Sequence, residues 1–479
     1  MWFCSVAIVL DPHPSIEMSR LSIFRTQLLE LRNAVKNTER KAVDTVLSAR
    51  WIVPIEPVGV VLEHHSIIFD QGKIVDILPT LEAEKAFVQR EHDASTDDFY
   101  LHHMLIPGLF NMHTHSAMTL LRGIAEDVPL MTWLNDYIWP AERKWLSAEY
   151  CALGVKLAIC EMLRSGITAF SDMYFFGEVT AKVADEMGVR ALVASPIIST
   201  VGDEPPEVAV NKAVELHEQY KDHPRISVAL GPHAPYTVSD TSFELIAQKL
   251  QEHPDLRVHV HLHETEFEVN SAVSSNGERP FDRLKRLGVL GKKTLVAHMT
   301  QLTESEIKET AELGMNVIHC PESNMKLSSG VCPVRKLVQA GVNVVIGTDG
   351  AGSNDDLDLL GEVRTAVLLD KLHTKDTDVP LPSSEFIKIA TLNGAKALGL
   401  DHITGSLKAG KAADVVALHI RTEPVYHPFS NLAYVGTNSV SDVWVEGRRL
   451  VRQSSVLGVD EDALQLEAQA WGEKIRDAL

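Results

Sequence analysis

The sequence predicts an α/β fold: a (β/α)8 TIM-like barrel with a composite β-sandwich formed by the N- and C-terminal segments. Three observations carry this expectation. From about residue 104 to 400, eight strand-like runs alternate with amphipathic helical stretches, the pattern of a parallel sheet with crossover helices. Eight such units suit a closed barrel better than an open doubly wound sheet. On both sides of this region the text changes to short β-rich runs, which would pair with each other in space.

In chain order, residues 1–45 read as an appended extension with helical apolar spacing and many charges. Residues 46–105 form a small β unit, with DQGK as a turn between strands. The expected catalytic barrel occupies 106–400, and its strand candidates are MLIPGLFNMHTH, ITAFSDMY, VRALVASPI, RISVALGPHAPY, LRVHVHLHE, KTLVAHMTQ, MNVIHCP and VNVVIGTDG. Residues 401–455 return to β character and complete the sandwich, and 456–479 form a closing helix. No internal repeat or low-complexity tract is present.

Composition narrows the function classes. Apolar residues make up 45% of the 479 and charged residues 23%, the profile of a globular protein with a sizeable core. A formal net charge of −20 repels phosphate backbones and anionic headgroups, so neither nucleic acid nor a membrane surface is an expected partner. A neutral or cationic small molecule fits better, and a homo-oligomer is expected. The five cysteines are scattered, odd in number and without C-x-x-C spacing, which argues against a disulfide framework and for a reducing cytoplasm. The opening MWFCSVAIVLDPHPS lacks the basic start of a secretory signal, and no apolar run is long enough to span a bilayer.

The strand ends concentrate the chemistry. His113 and His115 stand one residue apart after a Pro-Gly; on a strand, residues i and i+2 point to the same side, so both imidazoles would aim into one volume. An isolated H-x-H is equally compatible with two unrelated turn histidines. The other strand ends shift the balance: His233 ends strand 4, His261, His263 and Glu264 end strand 5, His298 strand 6, His319 strand 7 and Asp349 strand 8. Catalytic groups of barrels come from such ends. Three neutral imidazoles and one carboxylate suit a single divalent ion with an open position for water, and His113, His115, His261 and Asp349 form the expected set. Zinc is the first expectation and ferrous iron the second. Glu264 is placed to move a proton between water and substrate, with His298 either holding the hydroxide or polarising the attacked centre.

The motifs PGLFNMHTH, HLHE, VAH and GTDG resemble the amidohydrolase superfamily over most of residues 46–455. Within it, HTHSAMTLLRGIAEDVPLMTWLNDYIWPAE, GPHAPY, PESNMKL and GTDGAGSN look like the methylthioadenosine/S-adenosylhomocysteine deaminases. The resemblance implies a mononuclear site, since strand 4 lacks the bridging lysine of two-metal relatives. It also implies hydrolytic deamination at C6 of an adenine nucleoside, with Glu264 protonating N1 and ammonia leaving. At matching positions it makes Glu142 the acceptor of the ribose hydroxyls, His233 a substrate contact and Trp133 a pocket wall. Without the resemblance, Glu142 reads as a solvated helix charge and Trp133 as core. One departure stands out: residues 195–207 carry no arginine that could hold a homocysteine carboxylate, so a methylthio substituent is the expected preference.

Several residues invite a role and are read otherwise. His64, His65, His102, His103, His419 and His427 fall in or just before the predicted sandwich, where surface or core roles dominate. His319, Ser323 and Asn324 are expected to shape the pocket, and Asp172 either orients a ligand or caps its strand. The H-x-E and P-C-x-x-C zinc deaminases are excluded because neither half of that signature is present. The nearest rivals are an s-triazine or guanine-type aminohydrolase or chlorohydrolase on the same barrel, and, remotely, a non-catalytic structural protein on this scaffold.

Overall fold

The computed structural model describes residues 14–35, 39–90, 99–125, 127–200, 205–375 and 378–476. The opening segment with Cys4, residues 201–204 after the third strand and residues 477–479, which the sequence assigns to the closing helix, lie outside the described residues.

Eight parallel strands build the barrel: β1 Leu109–Thr114, β2 Ile167–Asp172, β3 Arg190–Ile197, β4 Ile226–Pro232, β5 Arg257–Leu262, β6 Thr294–His298, β7 Asn316–His319 and β8 Asn343–Ile346. Each pairs with its neighbour in chain order, the arrangement that right-handed crossover helices impose. The ring closes between β8 and β1. Asp349 N donates to His113 O at 2.9 Å, and the Asn111 amide links to Thr348 at 2.8 and 3.0 Å. This closure requires a glycine, because a Cβ on Gly347 would stand 2.6 Å from the His113 nitrogen.

The first strand candidate, MLIPGLFNMHTH, is divided between two sheets. Phe99–Pro107 belongs to the second sheet, pairing antiparallel with Val415–His419, and only after Gly108 does the chain enter the barrel. The passage is tight: a Cβ on Gly108 would lie 1.9 Å from Thr168 Oγ1. Sequence alone presents one apolar run here, because both halves are fully buried.

The flanks meet in one eight-stranded sheet, ordered 455–456, 448–452, 440–445, 415–419, 99–107, 45–52, 62–70 and 73–79. Strands 62–70 and 440–445 are four places apart in that order, about 19 Å in a flat sheet. Yet the Phe69 and Trp444 rings are 6.4 Å apart. The sheet is therefore curled on itself, with Leu47, Ile67, Phe69, Leu105, Val415 and Trp444 in the shared core. A sandwich made from both ends thus takes the form of one folded sheet.

The β layer starts earlier than residue 46, since Lys41–Val43 pairs in parallel with Phe87–Gln89. The helix Pro14–Ala34 is attached to it: Leu28 is fully buried and Arg32 donates to Glu84 at 2.6 Å. The closing helix Glu461–Arg476 packs Trp471 edge-on against Trp145 and Tyr150. Among the described residues no helix is long and apolar enough to cross a membrane.

Candidate metal centre and active-site cavity

The barrel interior is filled by Phe110, Met112, Leu192, Ala194, Ala229, Leu295, Ala297, Ile318 and Val345, a packed plug with the functional groups at its C-terminal face. Strand alternation places His259 and His261 of β5 on the inner side while Val258 and Val260 pack outward. At β6 alternation alone fails. Leu295 and Ala297 belong to the interior cluster and Val296 to the outer one, so His298 would point outward. Its backbone is left-handed, φ 76°, which turns the ring back to the centre. His263 (φ 53°) and Asp349 (φ 62°) are also left-handed. Such a conformation in non-glycine residues costs about 1–3 kcal/mol and clusters at functional sites.

Two overlapping groups of ligand atoms converge, His113 with His261 and His298, and His113 with His115 and Asp349, all within 4.8 Å of one another inside each group. Asp349 Oδ1 lies 3.3 Å from His113 Nε2 and 3.2 Å from His115 Nε2. The residues fit a divalent cation by their hydrogen bonding. His115 Nδ1 donates to Met173 O at 2.6 Å and His261 Nδ1 to His233 O at 2.7 Å. Carbonyls only accept, so in the neutral rings the Nε2 atoms keep their lone pairs. His298 Nδ1 is paired with Asn324 Oδ1 at 2.9 Å and His113 Nδ1 with His259 Nε2 at 2.8 Å. His113 Nε2 is buried and has no hydrogen-bond partner, an orphan that a cation would satisfy. Burial opposes charge on His115, but Asp349 outweighs it and pushes the imidazole up to about 9. Burial holds His113 down to about 4 and His261 well below the ordinary histidine range, so those two rings stay neutral and keep a lone pair for a cation.

Glu264 follows β5. Its backbone nitrogen is held by Glu268 Oε2 at 2.8 Å, and its Oε1 accepts from Ser329 Oγ at 3.1 Å. Oε2 stands 3.9 Å from His298 Nε2. Burial pushes this carboxyl above the ordinary glutamate range, with His298 opposing.

A cavity of about 300 Å³ opens over these groups, and its lining includes His115, His233, His261, Glu264, His298 and Asp349 together with Trp133, Glu142, Tyr174, Pro196, Ile198 and Ala209. Trp133 and its neighbours to Ile138 form a π-helical turn, a local distortion common at functional sites. Glu142 is buried, accepts from Tyr174 OH at 2.7 Å, and is pushed up to about 7 by burial. Trp133, Glu142 and His233, which sequence reasoning associated with substrate, therefore share one cavity with the centre.

The neighbouring roles resolve individually. Ser323 Oγ donates to Asp349 Oδ2 at 2.7 Å and Asn324 holds His298, so both steady site side chains and do not line the cavity. His319 is buried but likewise absent from the wall. Asp172 accepts from Ser116 N at 2.7 Å and from Thr180 Oγ1 at 3.1 Å, fixing the turn after His115. His103 stacks on His419 at 4.8 Å in the second sheet, and His427 caps a helix by accepting from Ser430 N at 3.2 Å. Sequence reasoning missed Tyr174, Glu268, His259 and Arg143. Arg143 is the one arginine or lysine among the described cavity-lining residues, and it follows Glu142 directly, far in sequence from residues 195–207. Only His259 carried a legible signal, as the first of three histidines in the period-2 series VHVHLHE.

The amidohydrolase family model matches residues 104–450. The chain belongs to the amidohydrolase family. A 5-methylthioadenosine/S-adenosylhomocysteine deaminase of Saccharophagus degradans is 41% identical over 445 residues, covering 92% of this chain and 98% of that relative. A 5'-deoxyadenosine deaminase of Methanothermobacter thermautotrophicus is 41% identical over 413 residues, covering 85% and 93%. Among solved structures, an adenosine deaminase from Xanthomonas campestris with bound zinc superposes with a TM-score of 0.87 at 42% identity, over 92% of this chain and 100% of that one. This amidohydrolase therefore shares its fold and most of its length with deaminases of adenine nucleosides.

Proposed function

We propose that this amidohydrolase is a zinc-dependent deaminase of adenine nucleosides, with 5'-methylthioadenosine as its preferred substrate and S-methyl-5'-thioinosine as product. The observation that carries the reading is a buried carboxylate, Glu142, in the same cavity as the imidazole centre. A free base or a triazine has no use for it, whereas a ribose supplies two hydroxyl donors. The Saccharophagus and Methanothermobacter relatives, named for such nucleosides, support this.

In this reading His113, His115, His261 and Asp349 hold the ion. A divalent ion in such a site supplies a water ionised near neutral pH. Glu264 moves both protons of the water: the first goes to ring N1 as the oxygen bonds to C6, and the second passes from the C6 hydroxyl to the amino nitrogen, so that the C6–N bond breaks, C6=O forms and ammonia leaves. His298, pinned by Asn324, faces the attacked carbon. Glu142 orients the ribose, and Tyr174 fixes Glu142. Apart from Arg143, the lining includes the apolar Leu146, Phe175, Pro196, Ile198 and Ala209, which suit a methylthio group better than a zwitterion. Cys151, Cys160, Cys320 and Cys332 are free and buried, in keeping with a reducing, cytoplasmic setting.

The test is ammonia release by the zinc-loaded protein from methylthioadenosine, S-adenosylhomocysteine, adenosine, guanine and a chlorotriazine. Highest kcat/KM for methylthioadenosine is expected. Turnover of guanine or the triazine in preference to every nucleoside would overturn the reading.

A further inference from the structure

Beneath the centre, three polar side chains cross the barrel in a line. His113 Nδ1 on β1 meets His259 Nε2 on β5 at 2.8 Å, and His259 Nδ1 meets Ser171 Oγ on β2 at 2.9 Å. All three residues are 0% exposed. Barrels usually fill this depth with apolar side chains, and polar groups there are costly unless they hydrogen-bond to one another. A role beyond packing would account for their presence.

The other imidazoles of the centre need no such device. His115 and His261 donate to carbonyl oxygens and His298 to Asn324 Oδ1, so an acceptor fixes the tautomer of each. His113 alone leans on a group that can either donate or accept. It is also the only residue common to both converging groups. If His259 presented Nε2–H to it, the proton of His113 would sit on Nε2 and block that atom as a ligand.

We propose that His259 is a positioning residue for the metal centre: with Ser171 accepting its Nδ1–H, its bare Nε2 accepts from His113 Nδ1 and leaves the His113 Nε2 lone pair aimed at the ion. This rests on reading the imidazole cluster as a metal centre, and it concerns metal affinity, not substrate. The proton order runs one way, from His113 through His259 to the Ser171 oxygen. Removing the acceptor weakens the metal by loosening both the orientation and the tautomer of one ligand, an effect of about 10–100-fold for partners of this kind.

The test is the dissociation constant of zinc, measured on metal-stripped protein against a chromophoric chelator, with the melting temperature of the stripped protein recorded in parallel. His259→Leu is expected to weaken zinc by about 10–100-fold. His259→Gln, whose Oε1 can stand where Nε2 stood and whose amide can donate to Ser171, is expected to stay within about threefold of the parent. Ser171→Ala leaves His259 in place but releases its tautomer; it should weaken zinc measurably with the stripped protein melting near the parent, and it decides the matter if His259→Leu does not fold. Parent-like zinc affinity in both His259→Leu and Ser171→Ala would overturn the proposal. Equal weakening in His259→Gln and His259→Leu would assign His259 to packing and overturn it as well. If the parent itself bound no zinc, the metal-centre reading would fail instead, so the two failures are distinguishable.

Discussion

Replacing Glu142 by glutamine separates substrate recognition from folding. The carboxyl is buried and pushed by burial from its ordinary 4.5 up to about 7, so ionising it in the folded protein costs about 3 kcal/mol. Its neutral form is the one that folding prefers. Its contribution to stability is therefore complete below pH 4.5 and is lost as pH rises through 7. Glutamine has no charge to bury and can still accept from Tyr174. The metal-free Glu142→Gln protein should accordingly match the parent at low pH and exceed it by up to about 3 kcal/mol at pH 8, read by denaturant unfolding. Catalysis should move the opposite way. Ionised acceptors make hydrogen bonds about twice as strong as neutral ones, so two ribose hydroxyls lose about 1 kcal/mol each, close to 30-fold in kcat/KM at pH 8. The parent's kcat/KM should fall as pH drops through about 7, a limb that glutamine abolishes. A 2',3'-dideoxy nucleoside should feel the substitution little. An equal loss on the dideoxy compound, or a variant less stable than the parent at pH 8, would refute the placement of Glu142 as a buried ribose acceptor.

Glu264→Gln should keep the bound metal, measured by elemental analysis, and lose turnover by about 10²-fold or more, the usual consequence of removing a general acid and base; full activity would take Glu264 out of the mechanism. Arg143→Ala should leave methylthioadenosine kcat/KM within about twofold and lower that of S-adenosylhomocysteine by about fivefold at most, because an exposed charge pair is worth about 1 kcal/mol or less. A hundredfold loss on the homocysteine compound would show that Arg143 is a full carboxylate clamp and reverse the expected substrate preference.

The barrel was readable because its strand ends carry unlike residues from the turns around them. HTH, GPH, HLHE, VAH and GTD each follow an apolar run, and the period-2 geometry of a strand converts that spacing into a shared direction. Alternation does not reach His298, where left-handed backbone sets the side-chain direction, or His113, which follows the inward Met112 across an irregularity in the strand register. The division of MLIPGLFNMHTH was hidden for a related reason: both halves are buried, and only the contact of Gly108 with Thr168 shows where the chain changes sheet. Tyr174 and Glu268 gave no signal, since Tyr174 acts through its hydrogen bond to Glu142 and Glu268 through those it accepts from the His263 and Glu264 nitrogens, all set by the fold.

By itself the sequence determined the (β/α)8 class, the residue types at the mouth and the nucleoside-deaminase resemblance, because these follow from local periodicity and from short motifs read along the chain. Only the tertiary structure decided which Nε2 atoms face one point, that Glu142 and Arg143 share the cavity with them, and that His259 and Ser171 lie beneath His113. Those facts are distances between residues tens to hundreds of positions apart, and they are fixed by how eight strands close into a ring.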